Sequence, residues 1–185
     1  MSKVSQGLRI VRPVLLLLVL IWIVHGINVA FQYNLNSYFG LYPRRAIGIP
    51  GIITSTFLHG SFQHILANST PLAALGLITA VVLRSRFWIA TFLVIIIGGG
   101  TLWLFGRPNS VHVGASGLIF GYFGLLITLG IFERSIGAVL GALAAIGLYG
   151  GLVWGVFGGA NVSWEGHLLG AIAGALTAII IAKRK

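Results

Sequence analysis

Ser116 and His167 are a nucleophile and a base placed in two separate apolar segments of a chain with almost no acids. Serine attacks a carbonyl only when a base takes its proton, and histidine, with an ordinary pKa near 6.5, is the usual base. Polar side chains are costly in hydrocarbon, so such a pair at membrane depth marks a functional site and implies acyl transfer within a bilayer. Most such pairs add a carboxylate that orients the imidazole. Here there is no aspartate, and the only acids are Glu133 and Glu165. Glu133 falls at the end of its segment remote from Ser116, and Glu165, two residues before His167, points to a different helix face. A dyad is therefore the better reading.

Attack on an amide creates an oxyanion that needs donors in a low-dielectric site. His64 and Asn68 are four residues apart, hence on one helix face, and both side chains can donate. Ser116 opens its own helix, where unpaired backbone N–H groups and the positive end of the dipole favour an anion. Hydroxyl and imidazole must come within about 3 Å of each other, which requires two helices in close approach. Gly114 and Gly117 flank the serine, while His167, Gly170 and Gly174 follow one helical stripe. Gly170-Ala171-Ile172-Ala173-Gly174 is a small-xxx-small packing motif, and taken alone these glycines would do no more than pack helices.

The elements that must position these groups follow from composition. The chain has 185 residues, 57% hydrophobic and 8% charged, with a mean hydropathy of +1.01, far from the roughly 25% charged residues of soluble domains. An all-α polytopic membrane bundle is expected, as one domain over 1–185. At about 20 apolar residues per span, six helices are predicted over 14–31, 61–83, 87–105, 114–132, 136–157 and 164–182. The first could pass for a signal peptide, but it is long, lacks a clear small-residue cleavage site and precedes five more spans. Nine basic residues, Lys3, Arg9, Arg12, Arg84, Arg86, Arg134, Lys183, Arg184 and Lys185, fall on one side of this arrangement, against Arg44, Arg45 and Arg107 on the other. The positive-inside rule then predicts both termini in the cytoplasm. The second, fourth and sixth helices all begin at the outer face, and their opening turns carry His64 and Asn68, Ser116, and His167. One polar layer toward the outer leaflet results.

Other function classes are disfavoured. The net charge of +10 lies at the ends of apolar runs, where it sets topology rather than binding nucleic acid. No cysteine is present, which excludes disulfides and thiolate metal sites. His59, His64, His112 and His167 gather toward the outer side, yet without an H-E-x-x-H pattern or more than one nearby carboxylate no metal is expected. His59 and His112 read as interfacial polar residues near the site, where they could also shape water or substrate access, and His25 faces the bundle without an obvious partner. The tryptophans fall mostly toward span ends, as interfacial anchors do. Asn161-Val162-Ser163 matches a glycosylation sequon, which matters only in a secretory compartment. The long connection 32–60 is half apolar and suits a loop lying partly in the interface.

Together these residues resemble the rhomboid family of intramembrane serine proteases. The pattern is met by His64-Ile65-Leu66-Ala67-Asn68 on the second helix, Gly114-Ala115-Ser116-Gly117 on the fourth, and His167-Leu168-Leu169-Gly170 continuing to Gly174 on the sixth. The resemblance covers nearly the whole chain in the family's minimal six-helix form. It implies Ser116 as nucleophile and His167 as general base, with His64, Asn68 and the Ser116 amide as oxyanion hole. Phe120 takes the aromatic position one turn after the serine, where the ring packs on the catalytic imidazole. The family's first outer loop often carries a Trp-Arg pair, for which this chain has Ile49-Pro50-Gly51-Ile52. The implied activity is endopeptidase cleavage of transmembrane protein substrates near the outer face, without a cofactor. A bacterial plasma membrane is expected, since the chain carries no organelle-targeting extension. The alternative is a catalytically inactive rhomboid-like protein that binds and escorts transmembrane clients. A transporter using the histidines as a proton path would want an acidic partner or a broken helix at the midplane, and the apolar midplane offers neither.

Overall fold

The computed structural model describes residues 3–151, 154 and 163–182. Lys183, Arg184 and Lys185, the far end of the 136–157 span, and Asn161 and Val162 of the sequon lie outside the described residues. The chain is all-helical there, in the order α1 (Lys3–Ala30), α2 (Leu35–Phe39), α3 (Gly51–Thr54), α4 (Phe62–Leu83), α5 (Phe87–Phe105), α6 (Ser116–Phe132), α7 (Ile136–Tyr149) and α8 (Trp164–Ile181). Among the described residues three stretches are long and apolar enough to cross a bilayer: Ile10–Ala30, Phe62–Phe105, which counts α4 and α5 together, and Trp164–Ile181. The chain is an integral membrane protein. The helix α1 begins well before its expected span and runs on through Pro13.

Serines start three of these helices. Ser61, Ser135 and Ser163 accept from the backbone N–H of His64, Ala138 and Gly166 and so cap α4, α7 and α8. None was singled out as a cap from the sequence, although a serine before an apolar run is the usual signal.

The centre of the bundle is α6. Nine of its 17 residues are buried, among them Tyr122, Leu125, Leu126 and Leu129. In contrast, α1, α5 and α7 expose Leu16, Ile23, Ile89, Phe92, Leu140 and Leu143 on their outer faces, as expected where the surroundings are lipid tails. Inside, the buried Thr91 and Tyr122 hydroxyls share a 2.7 Å hydrogen bond that ties α5 to α6. At the end remote from Ser116, Arg86 donates to Glu133 and to the Ile181 carbonyl, both at 2.7 Å, and so joins the ends of α5, α6 and α8.

The closest helix pair is α6 with α8, and glycine is the reason. A Cβ on Gly170 would run into the Gly117 carbonyl, and one on Gly174 into the Gly121 carbonyl. Backbone touches backbone along this seam, so the side chains projecting beside it are brought together.

The connection between α1 and α4 is folded rather than free. Arg44 donates through Nη1 to the Leu104 and Gly106 carbonyls, both at 2.9 Å, and Trp103 donates to the Arg45 carbonyl at 3.0 Å. The segment Ile49-Pro50-Gly51-Ile52 lies against α5, where the Ile52 carbonyl occupies the space a Cβ on Gly99 would need. Arg44 and Arg45 thus tie the loop to the end of α5 in a chain without the Trp-Arg pair.

Candidate active site

At 17 residues α6 rises about 26 Å, short of the roughly 30 Å of hydrocarbon. Above its first residue lies a cavity of about 670 Å³ whose lining includes His64, Asn68, Ser116, Phe120 and His167. The three elements expected to share a polar layer do share one.

The turn before α6 is shaped around Gly114, whose φ of +122° is a conformation that L side chains rarely adopt. A Cβ there would also lie 2.7 Å from Nε2 of His64. Gly114 therefore serves the turn and the His64 ring, outside any helix, rather than helix packing as expected; that role falls to Gly117, Gly170 and Gly174. Its N–H donates to the Ser55 carbonyl at 2.9 Å.

His64 accepts the Gly60 N–H on Nδ1 at 3.4 Å. A neutral ring then carries its proton on Nε2, the nitrogen facing Gly114 and the turn that holds Ser116. Asn68, one turn on and buried, donates through Nδ2 to the His64 carbonyl at 2.8 Å, which leaves a second amide N–H. His167 lies in the first turn of α8, its N–H bonded to the Ser163 carbonyl at 3.1 Å. Its ring stacks on Phe120, with centroids 4.2 Å apart and planes 7° from parallel. The Phe120 ring thus supports one face of the imidazole.

His59 and His112 are not interfacial side chains. Both are buried, because the loops bearing them fold over the bundle end. His59 accepts the Ala115 N–H on Nε2 at 3.4 Å, and its carbonyl accepts from Asn28 and Asn36. His25, also buried, packs edge-on to His59, which packs in turn on His64, with ring centroids 6.4 and 5.1 Å apart. Asn28, Asn36, Ser110 and Ser163 were not singled out as supports of this site. They stand on segments remote in sequence, and polar residues there read singly as loop or cap residues. Among the described residues no group of three metal-ligating side chains gathers. Glu165 pairs with Arg107.

Burial first, and the neighbouring His64 next, lowers the His59 imidazole from 6.5 to about 3. Its folded pKa lies below its unfolded one, so the stabilisation is present above pH 6.5 and is lost as pH falls toward 3. The expected loss is about 1.4 kcal/mol per pH unit within that window. Thermal unfolding in detergent between pH 7 and pH 4 should show a falling midpoint. His59→Gln, whose Oε1 can accept the Ala115 N–H without titrating, should flatten that fall.

Comparison with known proteins comes to the same place. The family model described as Rhomboid domain matches residues 48–184. An uncharacterized protein of Mycobacterium tuberculosis (strain ATCC 25618 / H37Rv) is 37% identical over 153 residues, which cover 77% of this chain and 63% of the relative. One of Mycobacterium leprae (strain TN) is 35% identical over 179 residues, 91% of this chain and 70% of the relative. A Bacillus subtilis (strain 168) protein that bears the name "Putative rhomboid protease YdcA" is 30% identical over 139 residues, 72% of this chain and 68% of its own length. The chain thus spans less than two thirds of the length of the Mycobacterium tuberculosis relative.

Proposed function

Because the chain belongs to the rhomboid family, we propose that it is an intramembrane serine endopeptidase that cuts transmembrane segments of other membrane proteins with a Ser116–His167 dyad. The observation that carries this reading is the single cavity lined by Ser116, His167, His64 and Asn68, with Phe120 stacked on the imidazole.

In the proposed reaction Ser116 Oγ attacks the scissile carbonyl carbon while His167 takes the hydroxyl proton. The resulting oxyanion is met by His64 Nε2–H, the remaining Asn68 N–H and the backbone N–H groups that open α6. Collapse breaks the C–N bond, and the leaving amine takes the proton from the imidazolium. Water, deprotonated by His167, then attacks the acyl-enzyme, and its collapse returns the proton to Ser116 and frees the new carboxyl group. Hydrogen bonds within the substrate helix must open before its carbonyl can be reached, so segments with Gly or Pro near the cut are the expected substrates. In this reading the membrane is a bacterial plasma membrane, and the charge distribution supports a site toward its outer side with both termini cytoplasmic.

The test is purified protein in liposomes with a panel of reporter transmembrane substrates, together with a fluorophosphonate probe. Cleavage, and mass-spectrometric placement of the probe on Ser116, are expected. A protein that neither cuts nor labels, yet still retains client helices, would replace the protease reading with an escort. His64→Ala and Asn68→Ala are each expected to lower kcat by about 10²–10³-fold with little change in KM.

A further inference from the structure

The hydroxyl and imidazole proposed to react stand on different elements, and besides the glycine seam a histidine outside the dyad ties the turn before Ser116 to the start of α8. His112 lies in the segment between α5 and α6, four residues before Ser116. Its Nδ1 is 2.6 Å from the Ser163 hydroxyl and its Nε2 is 2.8 Å from the Ser110 hydroxyl. Its backbone exchanges two hydrogen bonds with Leu41, of 2.9 and 3.0 Å.

The direction of these bonds follows from proton counting. Ser110 donates its only hydroxyl proton to the Arg107 carbonyl at 2.7 Å, so its oxygen accepts from His112 Nε2–H. Nδ1 is then the bare nitrogen and accepts from the Ser163 hydroxyl. The Ser163 oxygen keeps a lone pair for the Gly166 N–H at 3.3 Å, the cap of α8. Four groups are satisfied by one tautomer of a neutral ring. Burial also holds His112 below the usual imidazole value, with Arg107 acting in the same sense and the Glu165 carboxylate against it.

Ser163 is in turn the residue whose carbonyl receives the His167 N–H. A second tie crosses the same junction, the ion pair of Arg107 with Glu165. We infer that His112, with its proton on Nε2, is a positioning residue for the dyad: through Ser163 it sets the first turn of α8, and so the place of the His167 imidazole relative to Ser116. This rests on the protease reading above. Proton transfer tolerates little misplacement, and an error of about 1 Å can cost about 10²-fold in rate.

The experiment compares the full chain with His112→Phe, His112→Asn, Ser163→Ala and the His112→Phe/Ser163→Ala double variant. Asparagine places Oδ1 where Nδ1 stands and can accept from Ser163; phenylalanine keeps the volume without an acceptor. Expected are kcat losses of about 10–100-fold for His112→Phe and Ser163→Ala with KM within about twofold, substantial recovery in His112→Asn, and a double variant no worse than the poorer single one. Retained activity in His112→Phe with loss in His112→Asn would mean packing alone and would overturn the inference. Nitrogen NMR of histidine-labelled protein supplies a readout independent of cleavage. The His167 ring signals should move in Ser163→Ala and His112→Phe but stay near wild type in His112→Asn. Should the wild type cut nothing, the protease reading fails by itself. A His167 signal indifferent to Ser163→Ala would then sink the positioning role, and a displaced one would uphold it. If His112→Phe does not fold, Ser163→Ala carries both readouts.

Discussion

Replacing Ser116 or His167 with alanine is expected to lower kcat for a reporter transmembrane substrate by about 10⁴-fold or more, with the folded state retained. The two groups act as one unit, since the hydroxyl is unreactive without the base and the base has no proton to take without the hydroxyl. The double variant should therefore be no slower than either single one. Neither change disturbs what holds the bundle together. Ser116 removes one hydroxyl from the wall of a cavity, and His167→Ala gives up the Phe120 stack but leaves the α6–α8 seam intact. Thermal midpoints within a few degrees of wild type are the check that lost activity is lost chemistry. Residual rates near wild type in either variant would remove the dyad from the mechanism. Fluorophosphonate labelling should disappear in Ser116→Ala and slow greatly in His167→Ala.

A change that touches no reacting atom should do comparable damage. Gly174→Val is expected to abolish cleavage and lower the thermal midpoint sharply. A Cβ at Gly174 would overlap the Gly121 carbonyl and lie 2.9 Å from the Leu125 nitrogen. These are backbone atoms of the central helix, which cannot turn aside as a side chain would, so α8 must move away from α6. Overpacking of this kind costs about 1–3 kcal/mol or more, and a displacement near 1 Å between the helices carrying the hydroxyl and the imidazole costs about 10²-fold in rate. Gly100 and Gly147 supply the control. A Cβ on either meets nothing within 4 Å, and Gly→Ala in a helix interior is worth about 0.5–1 kcal/mol in the stabilising sense. Gly100→Ala and Gly147→Ala should therefore match or exceed wild-type stability at full activity. Equal tolerance at Gly174 would show that the seam is looser than its geometry.

Much of this arrangement was legible before any coordinates. Runs of apolar residues broken by arginines pointed to the helices, although α1 starts about three turns before its expected span, because lipid demands continuous apolar surface and punishes charge wherever it falls. The spacing of His64 and Asn68 and the order of the three motifs placed the candidate groups on helices that open at the same end. The failures share a cause. Gly114 looked like one more packing glycine, but its role depends on a positive φ and on the His64 ring, which arrives from a different helix. His59 and His112 looked interfacial because their neighbours in sequence are loop residues. Their burial comes from segments that only the fold brings over them: Asn28 and Asn36 beneath the His59 carbonyl, Leu41 and Ser163 around His112.

The sequence by itself determined the class of the molecule, a membrane bundle with a serine and a histidine on separate helices, because hydropathy and helical periodicity are local properties of the chain. Only the tertiary structure decided which glycines bring α6 against α8, and that a part-buried His112–Ser163 contact ties the turn before Ser116 to the helix of His167. Those are pairings between residues tens of positions apart, fixed by which backbones can touch and which lone pairs remain unfilled, and no periodicity along the chain encodes them.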